Sequence, residues 1–136
     1  MASTAVMAAV EARLAAVWTY TPIYTPNSGR LVPDDNSAFL AVEYPAATEE
    51  QISIGAPGAN TWREEGGFRL ALAIPAGVGL GAWPERVDEL RAAFRGAEFG
   101  GVRTYQASPP AEDGETDNGA YYVLSIAVAY EFDIIG

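Results

Sequence analysis

The chain has 136 residues, enough for one domain with a modest hydrophobic core, since domains typically run to roughly 100–200 residues. Its formal charge is −10, from 18 acidic and 8 basic residues, and every basic residue is an arginine. That excess repels nucleic-acid phosphates and anionic membrane surfaces, and the arginines form no run that would override it. Cysteine and histidine are both absent, which excludes disulfides, thiolate metal sites, the commonest zinc ligand and the usual general base near neutral pH.

The alanine-rich start lacks a basic flank and is interrupted by Glu11 and Arg13, so it reads as neither a secretion signal nor a membrane span. Instead residues 4–18 predict an amphipathic helix. Val6, Val10, Leu14, Val17 and Trp18 share one face, and Ser3 or Thr4 stands at the capping position. Pro22 and Pro26 end it, and a polar loop is expected as far as Asn36.

Residues 37–44 alternate as a strand, with Ala38, Leu40, Val42 and Tyr44 on one side and Pro45 as its stop. A separate strand is expected over 49–55, followed by a glycine-containing turn region that carries Trp62. Residues 68–74 alternate strictly through Phe68, Leu70, Leu72 and Ile74. A glycine-rich connection then leads to a helix starting at Pro84, with early acids, late arginines, a stripe of Trp83, Val87, Leu90 and Phe94, and Gly96 at its end. A short strand is expected over 102–105. The stretch SPPAEDGETDNG reads as a solvated, mobile loop, and residues 121–132 as the clearest strand, with Tyr122, Leu124, Ile126, Val128, Tyr130 and Phe132 on its apolar face.

Two helices with apolar stripes need a sheet face to cover. The expected fold is therefore α+β, a two-layer sandwich over residues 1–136, with a mainly antiparallel sheet of about four to five strands and both helices on one face.

Chemistry is hard to place on these residues. Gly77, Gly79 and Gly81 precede a helix, but the Lys and Ser/Thr of a phosphate-binding loop are missing, and Pro84 stands where a dinucleotide fingerprint begun at Gly79 needs its third glycine. The acid pairs Asp34–Asp35, Glu49–Glu50 and Glu64–Glu65 fall in expected loops and strand ends, where they read as surface charge. No serine or threonine has a histidine or lysine to activate it. No catalytic residue, cofactor or metal site is expected.

The segment order carries more information. An N-terminal helix leads into TPIYTPNSGRLVPDDNSAFLAVEY, with Pro26–Asn27 before a strand. The stretch REEGGFRLALAIPAGVG, a helix patterned by Val87, Leu90 and Phe94, and one long terminal strand follow. Over nearly its whole length this pattern resembles the tail terminator or tail completion proteins of long-tailed bacteriophages. The resemblance implies a virion subunit made in the host cytoplasm, with no catalysis and no cofactor. It implies a ring, typically a hexamer, that caps the head-proximal end of the tail tube and meets the head connector, with the tube protein, the connector and further copies of itself as partners. DNA would pass through the ring without specific binding.

A cyclic ring needs two different patches per subunit. The expected contact residues are Ser53, Gly55, Ala56, Asn60, Trp62, Arg63 and Tyr121, chosen for a long hairpin over 53–67 and for aromatics beside loops. Two other readings stay open: another head–tail joining or minor tail protein, and a small binding module of a bacterial host.

Overall fold

The computed structural model describes residues 1–27, 35–115 and 120–136, with backbone alone at 113–115. Its elements in chain order are α1 (Thr4–Val17), β1 (Ile23–Tyr24), β2 (Phe39–Gln51), β3 (Thr61–Pro75), α2 (Trp83–Phe94), β4 (Glu98–Phe99), β5 (Val102–Ala107), β6 (Ala111–Glu115) and β7 (Tyr121–Ile135). One sheet has the order β1-β2-β3-β7-β5-β4, with β6 pairing β7 off that path. Every pairing is antiparallel except β1 with β2.

The α+β class stands, and both helices are where the apolar periodicity puts them. α1 buries Val6, Val10 and Leu14, one residue per turn, with Trp18 buried just past its end. Ser3 occupies the N-cap position, but its side chain makes no capping bond; its backbone N–H donates to Glu64 instead. α2 begins one residue before Pro84 and buries Val87, Leu90 and Phe94. Both helices press on a single core formed with Leu40, Val42, Phe68, Leu70, Leu72 and Ile74, among others. Even-numbered residues of β7 from Ile126 to Tyr130 complete it, so alternation along the last strand identifies its buried face correctly.

The sheet exceeds the expected size. Pro45 does not stop its strand: β2 continues to Gln51, and the register slips by one residue between Glu43 and Ala46. A bulge accommodates a residue without an N–H, and β1 covers β2 only at Leu40 and Ala41, so Pro45 lies on an open edge where no ladder bond is lost. The separate strand expected over 49–55 is therefore the far end of β2, and Ile52 and Ile54 lie beyond that strand, exposed. Likewise β3 starts at Thr61, which puts Trp62 and Arg63 on a strand and not in a turn region. Residues 111–115, expected to be a mobile acidic loop, form β6 along the edge of β7. Backbone pairing is indifferent to side-chain charge there, and the open edge of β7 supplies the partner groups. Residues 116–119 of that segment, and Asp34 of the first acid pair, lie outside the described residues.

Candidate assembly site

β3 and β7 pair along all 15 residues of β3, from Thr61–Ile135 to Pro75–Tyr121. At ~3.3 Å per residue this is roughly 45 Å of strand, longer than either helix. The excess projects as an arm made of the end of β2, the start of β3 and the end of β7. On β3 the core begins at Phe68, and Glu64 is the sole residue before it that is fully buried.

A compact hairpin forms the arm's tip. Asn60 is 6% exposed, and its Oδ1 accepts from Ser53 Oγ at 3.2 Å and from Ala56 N–H at 3.3 Å. Ser53 Oγ in turn accepts from Thr61 N–H at 2.7 Å. Gly55 and Gly58 take φ of +89° and +83°, left-handed values that favour glycine. The backbone of Asn60 exchanges two 2.9 Å bonds with Gly136, tying the hairpin to the last residue of the chain. Trp62 Nε1 donates to the same Gly136 carbonyl at 3.2 Å.

Charges brace the face of the arm turned away from the helices. Arg63 grips Asp133 through two bonds of 2.8 and 3.0 Å, while Arg103 of β5 reaches both Glu131, at 2.9 Å, and Asp133, at 3.0 Å. The Arg63 fork, helped by Arg103, pulls the Asp133 carboxyl down to about 2. Glu131 is held low by a hydrogen bond from the Tyr105 hydroxyl and then by Arg103. On the helix side Glu64 is buried. Burial pushes its carboxyl up, but hydrogen bonds from the Tyr130 hydroxyl, at 2.6 Å, and from Ser3 N–H outweigh that and leave it below its ordinary range. Within the pair Glu64–Glu65, then, the first acid locks α1 to the sheet and is not surface charge.

Several apolar side chains at the arm have no cover. Ile54 is 89% exposed and Ile135 68%, with Ile52 and Ile134 also exposed. The opposite end of the molecule carries a second such surface, where Tyr20, Val78 and Leu80 are exposed; the Arg86 guanidinium there lies 4.6 Å from both the Tyr20 and the Trp83 ring centroids. Trp, Tyr and Arg are the residues enriched where proteins meet proteins. Gly77, Gly79 and Gly81 between these aromatics and β3 all take positive φ, and a Cβ on any of them would meet nothing within 4 Å. They make turns and do not draw backbone close around a ligand. Among the described residues no three acidic side chains converge as a metal site.

Of the expected contact residues, Ser53, Gly55, Ala56, Asn60, Trp62 and Arg63 all lie on the arm. Asn60 faces inward, as part of the hairpin's own scaffold. Tyr121 is at the other end of β7, 2% exposed, with its hydroxyl donating to the Ser37 carbonyl at 2.9 Å and its ring edge against Phe39. Sequence reasoning missed Ile54, Ile134 and Ile135 as surface residues, and the Tyr20–Arg86–Trp83 stack. For the last two isoleucines a signal existed: they follow Asp133 and lie past the acid that interrupts the apolar run.

The arm and the two apolar ends fit an assembly protein. A family model described as phage tail terminator protein matches residues 5–130. The chain belongs to the phage tail terminator protein family. This is a structural, non-enzymatic family, so the terminator is a tail component of the virion. A solved structure superposes on the terminator with a TM-score of 0.63 at 26% identity, covering 97% of this chain and 96% of that one. A search of curated proteins returns no match.

Proposed function

We propose that this terminator assembles into a closed ring, most simply a hexamer, which caps the head-proximal end of the tail tube and presents its other side to the head connector. The observation that carries this reading is the pair of exposed apolar surfaces at opposite ends of one long sheet, the arm isoleucines at one and Tyr20, Val78 and Leu80 at the other. Large exposed apolar patches on a folded protein mark contact surfaces, and a cap between a tube and a connector needs one on each side. Heterologous contacts between different patches of neighbouring subunits close into a ring when the rotation closes. The net charge of −10 suits such a ring, because an acidic lumen repels phosphates and lets duplex DNA pass without being gripped.

Native mass spectrometry and negative-stain imaging of the purified chain, alone and with the major tail tube protein, test this. The expected result is a single closed ring with a central opening wide enough for duplex DNA, seated on one tube end. A strict monomer under both conditions overturns the proposal.

A further inference from the structure

The arm has two open edges. Along β2, β1 pairs only Leu40 and Ala41, so beyond the bulge no described strand lies outside residues 46–51. On the other side β5 and β6 pair β7 no further than Phe132, and that last pair engages the neighbouring Asp133 N–H, which leaves the edge from the Asp133 carbonyl to Ile135 without a described strand beside it. Hydrogen-bond phase shows which backbone groups these edges present. Ile52 N–H donates inward to the Thr61 carbonyl, so by alternation Ala47, Glu49 and Gln51 turn their N–H and C=O groups outward. Gly136 exchanges its bonds with Asn60, so Asp133 and Ile135 turn theirs outward on the opposite side. An open edge flanked by exposed isoleucines is a template for strand addition unless something covers it.

We infer that the outer edge of β2 at residues 47–51 is a strand-pairing site for a second copy of this chain, filled by that copy's β7 edge at Asp133 and Ile135. The two edges lie at the same level of the sheet: Thr61 bonds Ile52 on one side and pairs with Ile135 on the other. β2 and β7 both run antiparallel to β3, so they point the same way. A rotation about an axis along the strands keeps that direction and joins the β7 edge of one copy to the β2 edge of the next in parallel, at every step around a ring. In this register the exposed Ile52 of one copy meets the exposed Ile135 of its neighbour. Glu50 comes level with the neighbour's Asp133, where Arg63 and Arg103 already supply positive charge. The inference rests on the ring proposed above and supplies its contact.

Two variants of the full chain test it. Proline at position 49 deletes an outward N–H that no described group uses, so Glu49→Pro should leave the monomer folded and raise the concentration needed for assembly at least tenfold. Ile52→Cys combined with Ile135→Cys gives a positive readout, because the chain has no other cysteine. Within one copy the two positions flank Thr61, roughly 9–10 Å apart across two strand spacings, too far for a disulfide. Between paired copies they are neighbours, so oxidation should yield a covalent ladder that ends at the ring size. Wild-type rings with no ladder, and with Glu49→Pro assembling normally, overturn the edge pairing and leave the ring standing. A wild-type chain that stays monomeric with and without tube protein overturns both. If Glu49→Pro proves unfolded, the ladder alone decides.

Discussion

Glu64 and Asp133 are both acids of the arm, with different work. Glu64 is buried beneath the start of α1 and accepts bonds from Tyr130 and Ser3, whereas Asp133 lies on the open face between two arginines. The Asp133 carboxyl falls from its ordinary 3.8 to about 2 on folding, so the folded chain favours its charged form. The stability this contributes is fully present above pH ~4 and is lost as pH falls toward 2. Thermal melts over that range should therefore show Asp133→Asn losing less stability on acidification than the wild type, though starting from a lower value; parallel curves would contradict the assignment. Neither role was legible in the sequence, because both depend on residues more than 60 positions away, Tyr130 for Glu64 and Arg63 for Asp133.

At the scale of elements, apolar periodicity identified α1, α2 and the buried faces of β3 and β7, since burial on one side imposes the same spacing wherever the element packs. It misjudged β2 because proline is a strong local stop signal, and only the neighbouring strands reveal that position 45 lies at an edge bulge. The bulge has a steric partner in β3. A Cβ added to Gly66 would lie 2.7 Å from the Ala46 carbonyl oxygen and 3.0 Å from the Ala47 Cα. Those are backbone atoms that cannot swing aside, so Gly66→Ala should cost about 1–3 kcal/mol in urea unfolding, the usual range for overpacking. A change below about 0.5 kcal/mol would mean the bulge relaxes freely. β6 escaped notice for another reason: its residues carry charge and no alternation, and its strand character comes wholly from the edge it pairs with.

The whole molecule is a sheet too long for its helices. The covered part is a conventional two-layer core; the uncovered part is an arm whose outermost isoleucines, Ile54 and Ile135, are left mostly in water. Ile54→Ser should therefore change the unfolding free energy by less than about 0.5 kcal/mol, the range for exposed sites, while weakening self-association or binding to the tube protein. Sedimentation velocity beside a urea titration separates the two effects. Normal assembly by this variant would remove the hairpin from the contact surface, and unfolding would show the hairpin to be core. The structure also limits how far this tip can be cut, because Asn60 belongs to the scaffold that holds Gly136.

By itself the sequence determined the helices, the faces they bury, the α+β class and the exclusion of histidine and cysteine chemistry, because these follow from residue type and from spacing within one element. Segment order added the likeness to tail terminators. Tertiary structure alone decided which strands adjoin, where the sheet outruns its helices, and which isoleucines are left in water. Two chemically identical side chains, such as Ile74 in the core and Ile54 at the tip, differ only in what the rest of the fold brings to them.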